Sequence, residues 1–443
     1  MTDRSVVPSL SAWILALVLF GGGAALAGDG KEKPQSPLIV HEWGTFTSFA
    51  GTDGVNLEFR PLVTNDLPGF VYFPNKLAVF GKKTYIARQR MQTPVTYFYS
   101  DVEREVNVSV AFRQGRLTEF YPPPVSHETK LASDNKTVVE ERVDWGKVHI
   151  LPNRSMTTSV VNPEVAERVN RHVAMGLVPW MDGINSYYRA RETDSSLLYV
   201  RRHPESPHLS SAASIDFKGD HFEKFLFYRG LGQIDLPLKA VALNDDRVHV
   251  ENRTPQEIRG GLVVHYEGRR LRFAPIGPVA GGAQIETPLP AWPSVEMTDQ
   301  FGALDQELTK LLVAEGLYEK EAASMVNTWR DSWYREPGLR VFFFVPQSQT
   351  DEVLPLTIEP KPDQVVRVLV ARTELMTPSE ERQLVSLLER TMKDSSAIKE
   401  LIRSLSARGR LAEPALRRAA AIGKVTNVNE LLDQVLPQIA AKG

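Results

Sequence analysis

The sequence predicts an α+β protein that is mainly β, with two β-rich, sandwich-like units, an α-helical hairpin and a small helical bundle at the C-terminal end. Three observations predict it. β-Branched and aromatic residues alternate with polar ones across 38–160 and again across 194–290, the period of a strand with one face in a core. After Pro293 the apolar residues recur every three or four positions, the period of a helix. Beyond Thr377, short segments of that helical kind are punctuated by Gly409, Pro414, Gly423 and Pro437, as in a stack of short helices.

At 443 residues the chain has room for two or three cores. With 42% apolar and 24% charged residues, it lacks the composition of a disordered or fibrous chain. The 52 basic and 54 acidic residues nearly cancel, so no long-range field draws the chain to nucleic acid or an anionic membrane. Cysteine is absent, which removes disulfides, thiolate metal sites, a cysteine nucleophile and a lipid-bearing cysteine together.

Residues 1–27 read as an export signal. Arg4 and the terminal amine precede an apolar or small stretch from Ala12 to Ala27. Ala25-Leu26-Ala27 puts small side chains where a signal peptidase reads, so cleavage is expected after Ala27. The stretch falls short of the roughly 20 apolar residues of a membrane span, and no later segment reaches that length. The expected location is extracytoplasmic, periplasmic or secreted; a membrane anchor formed by the uncleaved segment is the alternative. Residues 28–37 (GDGKEKPQSP) are polar with two prolines and read as a flexible linker.

In the first β-rich unit, 38–160, the alternation is plainest at Val106, Val108, Val110 and Phe112, and Tyr121-Pro122-Pro123-Pro124 forms a stiff connector. Segment 161–193 carries a helix at 163–175, capped by Asn162 with Pro163 at its first position. In the second β-rich unit, 194–290, Val248 and Val250 face inward while Arg247, His249 and Glu251 face outward. Segment 291–376 opens with a helical hairpin: Leu304, Leu308, Leu311 and Leu312, a stop at Gly316, then Ala322, Met325, Trp329 and Trp333. The apolar runs Val341–Val345 and Val365–Ala371 follow as strands covered on both faces. Segment 377–443 begins with Thr377-Pro378-Ser379-Glu380, a capping box, and Leu384, Leu387 and Leu388 mark its first apolar face.

The densest polar string runs from His41 to Ser48. A zinc protease would need a second histidine at position 45, which is threonine. On a strand, His41 and Glu42 point to opposite faces. The string fits a structural strand with Trp43 and Phe46 packed inside. As a ligand site it would draw on His41, Glu42, Trp43, Arg60, Asp66, Arg90 and His149. The nine histidines are scattered without ligand spacing, so neither a metal nor a cofactor is expected. No Gly-x-Ser-x-Gly elbow, phosphate loop or dinucleotide fingerprint is present.

These readings point to binding or assembly outside the cytoplasm, with an envelope polymer or another exported protein as partner and no nucleic acid. Two alternatives stand beside it. One is a hydrolase of envelope or extracellular polymers using Glu42, Asp66 and His41; the other is a docking module working through the C-terminal helices.

HEWGTFTS at 41–48, TWRDSWYREPG at 328–338 and LPLTIEPKP at 354–362 resemble an uncharacterised family of exported bacterial proteins. The resemblance spans most of the chain beyond the signal. It implies a shared fold and compartment and transfers no catalytic residue.

Overall fold

Strand β1 (Ile39–Ala50) is buried at every position from Val40 onward although five of its twelve residues are polar, so both its faces must be covered and each polar group needs a partner. The computed structural model describes residues 36–60, 67–68, 71–74, 86–152, 186–201, 209–211, 220–293 and 298–440. The export signal with Ala27, the linker up to Gln35, Asp66 and the helix expected at 163–175 lie outside these residues.

After β1 come β2 (Tyr72–Pro74), β3 (Gln89–Tyr99), β4 (Arg104–Arg113), β5 (Gly115–Tyr121), β6 (Ser126–Leu131) and β7 (Val138–Leu151). Then come β8 (Leu197–Val200), β9 (Leu209–Ser211), β10 (His221–Glu223), β11 (Phe225–Gly232), β12 (Leu238–Asn244) and β13 (Arg247–Asn252). Strands β14 (Gly261–Glu267), β15 (Arg270–Ile276) and β16 (Gln284–Pro288) lead to the helical hairpin, α1 (Thr298–Ala314) and α2 (Glu319–Tyr334). Strand β17 (Gly338–Val345), helix α3 (Gln347–Val353), β18 (Leu356–Glu359) and β19 (Gln364–Leu375) return the chain to the sheets. Four helices close it: α4 (Pro378–Lys393), α5 (Ile398–Ser406), α6 (Ala412–Ile422) and α7 (Val428–Ala440).

Ten strands form the main sheet, in the order β15-β14-β17-β19-β1-β3-β11-β5-β2-β9. A second sheet runs β10-β8-β7-β4-β18 with β6 on β7, and a third runs β12-β13-β16. The fold is therefore α+β and mainly β. The main sheet takes strands from 38–160, from 194–290 and from beyond the hairpin, so the two β-rich stretches of sequence do not each keep to a sheet of their own. Alternation tells which residues of a strand face a core; it says nothing about which strand lies alongside. The apolar runs around Phe343 and Leu369 enter the main sheet as β17 and β19, next to β1.

The hairpin packs on β14 and β15, α3 on β19, the second sheet on β5, and the third sheet on β19 and β15. Helix α2 buries Ala322, Met325, Trp329 and Trp333 as one stripe, and the two indoles lie nearly parallel, 6.4 Å apart. The C-terminal helices pool Leu384, Leu388, Leu401, Leu405, Leu416 and Leu432 in a core that also takes in Phe49 and Phe59 from the sheet side. The capping box of α4 forms: the Glu380 amide donates to Thr377 Oγ1 at 3.3 Å, and the Thr377 amide donates to the Glu380 carboxylate at 2.9 Å. In the third sheet Val248 and Val250 are buried and Arg247 is exposed.

His265 on β14 is buried against Trp292, with Arg272 Nη2 3.1 Å from its Nδ1 and Glu267 4.0 Å from its Nε2. Burial, followed by the positive charges of Arg272 and Arg340 and against a smaller pull from Asp245, holds its pKa down at about 4 against an ordinary 6.5. The unfolded chain therefore takes up this proton before the folded chain does. The stabilisation is complete above about pH 6.5 and is lost as pH falls toward 4. His265→Gln should flatten the decline of the urea midpoint across that window; an unchanged slope would exclude His265 as its source.

Candidate functional site

The register of β1 explains its polar residues. Glu42 stands opposite Thr96 on β3 and Arg367 on β19, so its carboxylate sits between two partners in one row. Arg367 Nη2 lies 2.5 Å and Nε 2.7 Å from Glu42 Oε2, while the Tyr228 and Thr96 hydroxyls donate to Oε1 at 2.7 and 3.1 Å. Arg367 Nη1 also donates to Asp351 at 2.8 Å and to the Leu354 carbonyl at 2.7 Å, tying α3 to the sheet. Glu42 and Arg367 are almost wholly buried. Burial works against the charged guanidinium, but Glu42 and Asp351 hold the pKa of Arg367 above its ordinary value. Burial and the Glu42 charge push that of the Tyr228 phenol well up.

His41 faces the other way, toward α2. Its Nδ1 is 2.6 Å from Glu321 Oε2, and its ring rests against Tyr318 and Tyr99, with centroids 4.5 and 5.3 Å away. Glu321 also accepts the Tyr318 amide at 3.2 Å, so one carboxylate caps α2 and pins it to β1. Trp43 lies on the same face against Tyr97 and lines a small, mostly apolar space of about 20 Å³ with Val95, Tyr121 and Phe227. Its indole N–H has no acceptor among the described residues.

The sequence candidates thus divide. His41 and Glu42 are held on opposite faces of one strand, each within its own set of partners. His149 lies on β7 in the second sheet, 3.4 Å from Glu105 and against Tyr199, and joins neither. Asp66 is outside the described residues. Arg60 and Arg90 do come together, in a cavity of about 80 Å³ that also has Thr47, Phe49, Arg410, Glu413, Leu436 and Ile439 in its wall.

This cavity lies where β1 and β3 meet the C-terminal helices. Thr47 is opposite Arg90 on one side and Arg372 on the other, so the sheet register sets the three in one row, of which Thr47 and Arg90 reach the cavity wall. Thr47 Oγ1 and Arg410 Nη1 both donate to Gln92 Oε1, at 3.2 Å each. The Gln92 amide nitrogen, buried, has no acceptor among the described residues. Arg60 spans the mouth, donating to Glu413 at 3.1 Å and to Asp433 at 2.9 Å.

Behind Arg410, three guanidiniums share two carboxylates. Arg410 and Arg372 meet Glu336 at 2.9 and 3.1 Å; Arg372 also meets Glu374, and Arg340 meets Glu374 at 3.2 Å. Arg340 gives its remaining donors to the carbonyls of Trp333, Glu336 and Pro337. Burial and the nearby charges of Arg372 and Arg410, against the pull of Glu374 and Glu336, bring the pKa of Arg340 down to about 10. Burial would raise the Glu336 carboxyl, yet Arg410, Arg372 and Arg340 hold it below its usual range. Among the described residues the cluster thus sets three guanidiniums against two carboxylates in a poorly hydrated place.

Sequence reasoning found Arg60 and Arg90 and missed Arg340, Arg367, Arg372 and Arg410. A signal existed for three of them: Arg367 interrupts an apolar run that reads as a doubly covered strand, and Arg340 and Arg372 stand directly beside such runs, where an arginine requires a partner. Arg410 carried none, because it lies in a helical segment full of surface charge.

No family model matches the chain, and no curated protein matches it. Among solved structures, the Fcho1 mu-homology domain of Danio rerio with a bound Eps15 peptide aligns over 77% of this chain and 97% of that one, at 6% identity and a TM-score of 0.29. The yeast delta-COP-I mu-homology domain complexed with a Dsl1 WxWxV peptide aligns over 78% and 98%, at 7% identity and a TM-score of 0.22. TM-scores this low carry no inference about fold or function.

Proposed function

We propose that the chain is an exported binding module whose ligand site is the cavity between the ends of β1 and β3 and the C-terminal helices. The observation that carries this reading is the lining of that cavity. Arg60, Arg90 and Arg410 stand beside Phe49, Phe59, Leu436 and Ile439, the mixture of convergent polar groups and apolar wall that small-molecule sites present. Arg60 and Arg410 keep 20% and 24% of their side-chain surface exposed, so the space opens to solvent at its rim.

The alternatives draw less support. A hydrolase needs carboxylates and histidines that reach substrate, whereas Glu42 and His41 are spent on Arg367 and Glu321. Docking through 377–443 needs an apolar surface, and the large hydrophobics exposed there are Met392 and Ile422 among the described residues. Export rests on the N-terminal segment: the chain recovered from the cell envelope or medium should begin at Gly28. A chain that retains residues 1–27 or stays in the cytoplasm would refute that part.

Leu436→Trp tests the site, because the larger side chain fills much of the cavity from a partly buried position. In a thermal-shift panel of small anions, glycans and peptides, a ligand at a hundred times its Kd stabilises the parent by about 2.7 kcal/mol. The variant, still folded, should lose that shift. If no compound gives a shift that Leu436→Trp abolishes, the binding reading falls.

A further inference from the structure

Resting on the binding reading above, we infer that the cavity takes a small uncharged amphiphile that gives a hydrogen bond: an alcohol on a short aliphatic chain, its hydroxyl donating to Glu413 Oε2 and its tail along Phe49, Phe59, Leu436 and Ile439. The uneven load on Glu413 is the first ground. This residue lies on the first turn of α6, 4% exposed, in the wall of the cavity. Its Oε1 accepts four hydrogen bonds, from the Arg60 amide at 3.2 Å and Nε at 3.1 Å and from Arg417 Nε at 3.0 Å and Nη2 at 2.8 Å. Its Oε2, buried too, has no donor among the described residues. A buried carboxylate oxygen without a donor bears the full cost of leaving water. A hydroxyl brought in by a ligand removes that cost.

Charge decides what carries the donor. Around this carboxylate Arg60 and Arg417 are set against Glu413 and Asp433, two against two. An ammonium would bring a further cation to the guanidiniums already there, and Arg410 shares the same wall. A ligand carboxylate would meet Glu413 with lone pairs and no proton. An uncharged hydroxyl answers the oxygen and leaves the balance as it is.

Shape sets the tail. In the same wall as Glu413, Phe49, Phe59, Ala412, Leu436 and Ile439 offer carbon surface. At about 80 Å³ the space is smaller than the roughly 150 Å³ engineered cavity that holds benzene. It therefore suits a chain of a few carbons and excludes a long acyl chain.

1-Pentanol is the probe, titrated calorimetrically into the full chain. Beside it run its isomer 1-methoxybutane, which has the same atoms but no hydroxyl proton, and butylammonium, which carries the donor with a charge. 1-Pentanol should bind on the order of tenfold more tightly than the ether, and more tightly than the cation. In Glu413→Gln the donors that crowd Oε1 keep the amide oxygen there and put an N–H in place of Oε2, so the alcohol-to-ether ratio should fall to about one. A merely structural role for Glu413 would weaken both compounds alike. Should Glu413→Gln fail to fold, the ratio in the parent still decides, and Leu436→Trp must abolish 1-pentanol binding. Equal affinity for alcohol and ether in the parent, tighter binding of the cation, or an unchanged ratio in Glu413→Gln overturns the assignment. If 1-pentanol is silent while another compound gives a shift that Leu436→Trp removes, the hydroxyl is wrong and the binding reading stands. If nothing gives such a shift, both fall.

Discussion

The pairing of Glu42 with Arg367 is the interaction on which the rest of the architecture depends. Strand β1 runs through the main sheet with cover on both faces, so a carboxylate on it is taken wholly out of water. That costs several kcal/mol unless its lone pairs are met. Here they are met by a guanidinium and two hydroxyls, and the guanidinium carries the constraint on to Asp351 and Leu354. By contrast the Asp331–Arg335 pair on the exposed side of α2, with side chains 75% and 53% exposed, is worth only about half a kcal/mol.

Around that lock, β1 distributes its remaining polar groups by face and by height. His41 fixes the start of α2 through Glu321, and Thr47, farther along the same face, reaches the cavity under the C-terminal helices. The two ends differ in how they are built: Arg367 divides itself between Glu42 and Asp351, whereas at the arginine cluster three guanidiniums divide two carboxylates among the described residues.

Much of the fold could be read from local pattern. Period-two alternation placed Val248 and Val250 inside, helical spacing gave the stripe from Ala322 to Trp333, and Thr377 with Glu380 marked the start of α4. The opposite facing of His41 and Glu42 was legible for the same reason, since the two-residue period of a strand is local. Their partners were not. Glu321 is 280 positions from His41 and Arg367 is 325 from Glu42, and a pairing that far apart is fixed by sheet order, which alternation does not encode. Arg60 and Arg90 were found as residue types, but the group they meet depends on Thr47 standing between Arg90 and Arg372. The three strings behind the family resemblance become β1, the end of α2 with its turn into β17, and β18 with its flanks. The main sheet and Arg367 bring them together.

The most direct test of this lock is Arg367→Met, studied by denaturant unfolding. The account predicts a loss of about 3–5 kcal/mol, because Glu42 is left buried without its counter-charge. A loss below about 1 kcal/mol would contradict it.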